Sequence, residues 1–132
     1  MKGFKANIEE LVTGNSFFRK VLYTGKHSQL VVMTLKPSEE IGLEVHEDTD
    51  QFFRFESGVG KAVIDGTEYQ FAAGDVVTVP QGAQHNIINT SQTDELKFYT
   101  IYSPPHHKDG TVHQTKDQAL ADSEHFDGKT TE

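Results

Sequence analysis

The stretch that decides the fold lies in the second half of the chain, where residues 74–89 read GDVVTVPQGAQHNIIN. Gly74 permits a tight turn that few other residues tolerate, and Val76–Val79 have the composition of a short buried strand. A proline and a glycine then form the next turn, after which His85 enters the following strand with its side chain pointing inward. The stretch therefore predicts two successive β-strands that bring a histidine into the interior of a β-sheet protein.

The same stretch resembles the second sequence motif of the cupin superfamily. It has that motif's spacing of Gly, five residues, Pro, one residue, Gly, two residues, His, three residues and Asn, from Gly74 to Asn89. The first cupin motif is His-x-His, three or four residues, Glu, six residues and Gly, and residues 44–58 keep its spacing as EVHEDTDQFFRFESG. Glu44 and Gln51 stand where that motif has His and Glu. The resemblance implies an all-β fold, a double-stranded β-helix (jelly-roll) cupin barrel.

Four residues occupy the positions of cupin metal ligands: Glu44, His46, Gln51 and His85. Glu44 and His46 are two residues apart and share a strand face. Gln51 begins the next strand after a tight turn, and His85 comes from a strand paired nearby. Two imidazoles, one carboxylate and one amide oxygen suit one borderline divalent metal ion with open positions, and Zn, Mn, Fe and Ni all fit.

Aromatic side chains follow these ligands along the chain. Phe53 and Phe55 share the strand face of Gln51, so we expect them to form the floor of a substrate cavity beneath the metal. Phe52 and Arg54 alternate with them and face outward. Inward-facing Arg or Lys candidates are therefore scarce, and the sequence does not support a phosphorylated substrate.

The polar end of the chain contains four of the seven histidines. We expect His113 to supply a catalytic acid or base at the open end of the barrel, here called the barrel mouth. Pro104 and Pro105 can turn the chain back, and Gly110 provides a bend shortly before His113. The alternative, that these histidines are solvated side chains of a polar tail, stays open.

Three segments are expected along the chain: an N-terminal extension (1–16), the cupin barrel (17–103) and a C-terminal arm (104–132). Short runs rich in Val, Ile, Phe, Thr and Tyr are separated by turn residues, which is typical of a sandwich or barrel. The predicted strands are Phe17–Thr24, Gln29–Lys36, Ile41–His46, Gln51–Ser57, Gly60–Ile64, Thr67–Phe71, Val76–Val79, His85–Asn89 and Glu95–Tyr102.

Local signals add two short helices and one hairpin. Asn7 as N-cap and Gly14 as stop predict a short helix in the N-terminal extension. Another is predicted over 116–123, in an arm that is either packed or partly disordered. Asp65 and Gly66 lie between two alternating runs and predict a type I′ turn.

Composition excludes several classes of function. The 132 residues suit one domain, and the absence of cysteine excludes disulfide frameworks, thiolate metal sites and cysteine nucleophiles. Twelve Lys and Arg against twenty Asp and Glu leave a formal charge of -8, so nucleic acid is not an expected partner. The short apolar runs and the absence of a signal-peptide pattern predict a cytoplasmic protein without a membrane partner. The resemblance implies a homodimer.

Three functions fit this reading. The first is a metal-dependent enzyme on a small polar molecule, with sugar or keto-acid isomerisation as the leading case, because the chain resembles small cupins described as mannose-6-phosphate isomerase-like. The second is a non-haem iron dioxygenase, since two histidines and one carboxylate hold iron in such enzymes. The third is a non-catalytic cupin that binds a small-molecule ligand. The fold alone does not choose among them.

Overall fold

Ten strands and two six-residue helices make up the fold. A computed structural model describes residues 1–132 throughout. Neither helix has the length and apolar character that crossing a membrane requires. In chain order the elements are α1 (Ile8–Thr13), β1 (Arg19–Thr24), β2 (Gln29–Leu35), β3 (Glu44–Val45), β4 (Asp50–Ser57), β5 (Val59–Ile64), β6 (Thr67–Ala72), β7 (Val76–Val79), β8 (Gln84–Asn89), β9 (Leu96–Ser103), β10 (Val112–His113) and α2 (Lys116–Ala121).

The strands form two antiparallel sheets. The first has six strands in the order β10-β1-β2-β9-β4-β7, and the second has four in the order β3-β8-β5-β6. Many neighbouring strands come from distant parts of the chain, as where β9 lies between β2 and β4. This connectivity is typical of a jelly roll, and it confirms the predicted all-β fold.

The core lies between the two sheets, because side chains of each strand alternate between an inner and an outer face. Sixteen buried apolar residues form one continuous cluster. Phe53, Phe55 and Phe98 belong to it and have no exposed surface. The half-buried Phe52 and Arg54 alternate with these phenylalanines along β4, as the sequence predicts.

Two local predictions are confirmed at the level of the backbone. Asp65 and Gly66 have φ values of 45° and 83°, as a type I′ turn requires, and they join β5 to β6. At the start of α1, the Asn7 side chain accepts a hydrogen bond from the backbone N–H of Glu10 at 3.0 Å. This bond satisfies one of the N–H groups that a helix leaves unpaired at its start.

The strand predicted over Ile41–His46 is wrong in its extent, because β3 contains only Glu44 and Val45. Gly42 has a φ of 109°, a left-handed backbone conformation that interrupts a strand. The Ile41 N–H still donates to the Ile87 carbonyl at 3.0 Å, the usual length of a hydrogen bond between paired strands. His46 consequently lies in the loop that follows β3 rather than inside a strand.

The C-terminal arm packs against the barrel. Strand β10 pairs with β1, where His113 lies opposite Arg19. The Gln29 side chain donates to the His107 carbonyl at 2.8 Å, and near the end of the chain the Thr131 N–H donates to the Thr24 carbonyl at 2.9 Å. Of the two alternatives left open for the arm, the packed one is found. Its helix α2 ends at residue 121, two residues before the predicted end.

Candidate metal centre

Three of the four predicted ligands lie together at the barrel mouth. Glu44 begins β3, and His85 in β8 is its partner in the strand pairing. The Nε2 atoms of His46 and His85 lie 3.2 Å and 4.0 Å from Glu44 Oε2. The ligand atoms of the three side chains all lie within 4.8 Å of one another, so this group could hold one metal ion.

A local hydrogen bond orients the imidazole of His85. Its Nδ1–H donates to the carbonyl of Ala83 at 3.0 Å, so the neutral ring carries its lone pair on Nε2. The Nε2 atoms of both His85 and His46 are buried and form no hydrogen bond. Although His46 Nε2 is close to Glu44, the orientation of the two groups does not make a hydrogen bond. Both rings therefore present a free lone pair beside a carboxylate.

Gln51, the fourth predicted ligand, lies across the interior on β4 of the other sheet and is 3% exposed. Its Nε2 donates to the Thr100 hydroxyl at 3.0 Å. Its Oε1 is buried and forms no hydrogen bond. Gln51 is paired in the strand register with Tyr102, whose ring meets that of His46 edge-on at 5.9 Å. The amide oxygen thus has no partner within the protein.

The neighbours of Glu44 keep its carboxyl group ionised. Burial alone would raise the pKa of this group, but the adjacent His46 and the charge of Arg19 outweigh burial and lower the pKa. An ionised carboxylate is the form that ligates a cation. Because the Glu44 side chain remains 32% exposed, the group also has a path to solvent.

Two rings that were not predicted as site residues lie against His46. The His106 ring is 4.2 Å from His46 and 5.4 Å from Tyr102, measured between ring centroids. Burial, together with the neighbouring imidazoles of His107 and His46, lowers the pKa of His106 to about 4. The alternation of β9 could have identified Tyr102, because it follows the inward-facing Thr100 by two residues.

A row of hydrogen bonds connects this site to the arm. His107 Nδ1–H donates to Glu124 Oε1 at 2.6 Å, and the Tyr102 hydroxyl lies 3.2 Å from His107 Nε2. Burial lowers the pKa of His107 despite its bond to Glu124, and burial raises that of Tyr102. Burial would raise the pKa of Glu124 as well, but the hydrogen bonds from the His107 ring and from the Lys108 backbone N–H outweigh burial and bring the pKa to about 2. A neutral His107 therefore donates to an ionised Glu124 and accepts from Tyr102.

A pocket of 340 Å³ opens beside His46 and His106. Its walls come from the loop after β3 and from the arm, including Asp48, Pro105, His125 and Phe126. This volume is within the range of small-molecule sites. The arm thus contributes one side of the approach to the candidate ligands.

The two phenylalanines predicted as a cavity floor lie in the closed core. Phe55 stacks on Phe71 with ring centroids 3.6 Å apart, and both Phe53 and Phe55 pack against Phe98. Neither has any exposed surface. Their contact with a substrate stays a prediction.

His113 lies apart from the group formed by Glu44, His46 and His85. Its Nε2 is 2.9 Å from Asp122 Oδ2, and its Nδ1 is 3.3 Å from a terminal nitrogen of Arg19. A role for His113 as a catalytic acid or base stays a prediction. The expectation that inward-facing basic residues are scarce missed Arg19. This residue is buried at the start of β1, on the same strand face as the inward-facing Val21 two residues later.

Known proteins share this fold and much of this sequence. Residues 31–102 match the cupin domain family. The chain is 44% identical over 126 residues to uncharacterized protein YrkC of Bacillus subtilis, covering 91% of this chain and 67% of YrkC. The crystal structure of BH2720 from Bacillus halodurans superimposes with a TM-score of 0.89 at 38% identity, covering 92% of this chain and 96% of that one.

A more distant relative carries a functional name. The oxalate-binding protein of Thermotoga maritima is 33% identical over 69 residues, which cover 52% of this chain and 56% of that protein. The family match, the similar proteins, the jelly-roll fold and the two sequence motifs all indicate the same family. The chain belongs to the cupin family.

Proposed function

We propose that this cupin binds one divalent metal ion through Glu44, His46, His85 and Gln51 and acts on a small polar molecule. The observation that carries the proposal is the set of buried ligand atoms without a hydrogen bond: Nε2 of His46, Nε2 of His85 and Oε1 of Gln51. Leaving a buried polar atom unpaired costs about 1–3 kcal/mol. Two such nitrogens beside the Glu44 carboxylate, with a third such atom on the facing sheet, are explained if their partner is a cation.

The donor set fits a borderline divalent ion. Two imidazole nitrogens, a carboxylate oxygen and an amide oxygen suit Zn, Mn, Fe and Ni, and the chain has no cysteine to favour softer metals. When bound, such an ion supplies Lewis-acid polarisation of a carbonyl or hydroxyl oxygen.

Other groups of the protein orient the proposed ligands and shape the site around them. The Ala83 carbonyl fixes the His85 ring, and the Thr100 hydroxyl holds the Gln51 amide so that its nitrogen is occupied and its oxygen is free. The rings of His106 and Tyr102 pack against the His46 ring and hold it in place. The pocket beside His46 admits a small ligand to this end of the barrel.

Three activities are compatible with such a centre, and metal-dependent isomerisation of a sugar or keto acid remains the first proposal. A dioxygenase is the second, supported by the two histidines and one carboxylate within ligand distance of one another. Binding without turnover is favoured by the relative from Thermotoga maritima that is named an oxalate-binding protein.

Elemental analysis of protein purified without chelators tests the proposal. The variants are the double substitution His46→Ala with His85→Ala, the single substitution Gln51→Leu, and His27→Ala as a control at an exposed histidine. We expect about one ion per chain in wild type and in His27→Ala, about one tenth of that in the double variant, and an intermediate content in Gln51→Leu. Equally low metal in wild type and the double variant after reconstitution with Zn, Mn, Fe and Ni would contradict the proposal.

Turnover assays then separate the three activities. Metal-loaded protein is incubated with aldoses, keto acids and diketones while products are followed by NMR and oxygen by electrode. Isomer formation that is lost in His85→Ala supports the first activity, and oxygen uptake lost on chelation supports the second. Saturable binding without either reaction supports a non-catalytic cupin.

A further inference from the structure

Arg19 is a buried arginine that neither sequence motif includes. It is the first residue of β1, where it lies opposite Met33 of β2, and it is 7% exposed. Val21, two residues on, is part of the apolar cluster between the sheets, so the Arg19 side chain enters the barrel from the same strand face. A guanidinium group is consequently present in an interior that otherwise holds apolar and neutral side chains on this strand.

The guanidinium of Arg19 has no acidic partner. No carboxylate oxygen lies within 4.0 Å of it, whereas Arg54, Lys61 and Lys97 each have one. Its Nε is buried and forms no hydrogen bond. Its recorded polar side-chain contact is with Nδ1 of His113 at 3.3 Å.

His113 does not act as a counter-ion. Because its Nε2–H donates to Asp122 at 2.9 Å, the neutral ring accepts a hydrogen bond from Arg19 through Nδ1. This contact orients the guanidinium without neutralising it. The ring of Phe18, whose centroid is 5.2 Å from Arg19 Cζ, supplies a further weak attraction.

A buried arginine cannot relieve its burial by losing a proton, since its pKa is too high. Its charge therefore requires a partner, and an unpaired buried charge is strongly unfavourable. Arg19 on β1 and the proposed ligand Gln51 on β4 are both buried on the inner face of the six-stranded sheet. The guanidinium therefore enters the interior between the two sheets, into which the side chain of Gln51 also points.

We propose that Arg19 binds an anionic group, a carboxylate or a phosphate, on the small molecule that the metal centre holds. This inference rests on the proposed function for the metal, but it adds the charge of the ligand. The planar fork of a guanidinium matches both anions through two parallel hydrogen bonds. The ligand class is then a small acid that has one metal-binding oxygen and one anionic group.

Calorimetric titration of the metal-loaded protein tests this assignment. The probes are oxalate and pyruvate, each compared with its neutral amide (oxamide and pyruvamide), and inorganic phosphate. The variants are Arg19→Met, Arg19→Lys and the matched control Arg54→Met, which removes an arginine with a 38% exposed side chain from the outer face. Metal content is measured in every sample.

We expect at least one anion to bind wild type about tenfold more tightly than the corresponding amide, or phosphate to bind measurably. Arg19→Met should lose about tenfold or more of that affinity at unchanged metal content, Arg19→Lys should lose less, and Arg54→Met should match wild type. The carboxylate and phosphate arms identify which anion is preferred. If none of the anions binds, or Arg19→Met binds as tightly as wild type, the proposal is overturned.

Two further measurements keep the outcomes distinguishable. The same titrations on metal-free protein compare Arg19→Met with Arg54→Met, so a failure of the metal proposal does not remove the test of Arg19. Thermal unfolding of metal-free Arg19→Met should occur at or above the wild-type temperature, because a ligand-binding charge is held at a cost to stability. A clearly lower unfolding temperature of Arg19→Met, with its anion affinity unchanged from wild type, would assign Arg19 a structural role instead.

Discussion

The two ends of the barrel interior differ in how their buried groups are satisfied. At one end Phe53, Phe55 and Phe98 have no exposed surface and pack ring against ring. At the barrel mouth His46 and His85 are almost as deeply buried, yet their Nε2 atoms form no hydrogen bonds. The apolar end therefore stabilises the fold by packing, whereas the mouth keeps buried nitrogens that form no hydrogen bond.

Polarity alone does not make this difference, as two buried glutamines show. Gln29 is 1% exposed and satisfies its whole amide: Nε2 donates to Thr24 and to the His107 carbonyl, and Oε1 accepts from the N–H groups of His106 and His107. Gln51 is 3% exposed but bonds only through its nitrogen. Gln29 connects the arm to the barrel, whereas the oxygen of Gln51 has no hydrogen-bond partner.

The largest expected effect is at the apolar end. Phe55→Ala should lower the free energy of unfolding by about 3–5 kcal/mol, because it removes a ring stacked on Phe71 and leaves a cavity. Urea unfolding of metal-free protein measures the change. Phe52→Ala, at a half-buried position on the outer face of the same strand, is the control and should lose less. A loss below about 1 kcal/mol for Phe55→Ala would contradict the conclusion that packing at the apolar end stabilises the fold.

The two glutamines provide the next test. Gln29→Leu should lower the free energy of unfolding by about 3 kcal/mol, because two N–H groups and a carbonyl of the arm lose their partner. Gln51→Leu should change it by less than about 1 kcal/mol, since it removes one hydrogen bond but also an unpaired oxygen. Both are measured by urea unfolding without metal. Equal losses would mean that Gln51 is as structural as Gln29.

Much of the fold and part of the site could be predicted from the sequence. Motif spacing placed Glu44, His46 and His85 together, because strand pairing in a jelly roll brings β3 beside β8. Alternation along β4 placed Phe53 and Phe55 inside. These features depend on local periodicity and on turns, both of which a sequence displays directly.

The rest of the site depends on how the arm folds back, which no local pattern encodes. His106 lies over His46 because long-range bonds hold the arm, among them the one from the Phe126 N–H to the His106 carbonyl at 2.9 Å. The turn residues before His113 favour that histidine, but the ring beside His46 belongs to His106. Arg19 was missed because one charged residue at the start of an alternating run gives no signal of its own.

The smallest predicted effect concerns the bond by which the arm is attached at the mouth. Glu124 has a pKa of about 2, below its ordinary value of 4.5, so its ionised form stabilises the folded state above about pH 4.5. That contribution is lost as the pH falls from 4.5 toward 2. Because the residue is half-buried and solvent screens part of the interaction, we expect Glu124→Gln to lose about 1 kcal/mol at pH 7.

The difference in unfolding free energy between wild type and Glu124→Gln depends on pH in a way that identifies its cause. In wild type the lowered pKa of His107 acts in the same direction, since its neutral form is favoured in the fold and stability declines as the pH falls below about 6.5. Urea unfolding at pH 7, 5, 4 and 3 should therefore show wild type losing its advantage over Glu124→Gln mainly below pH 4.5. A difference that stays constant down to pH 3 would show that shape, and not the charge of Glu124, attaches the arm. Packing would then hold the arm, as it holds the apolar end of the barrel, although the arm lies at the mouth.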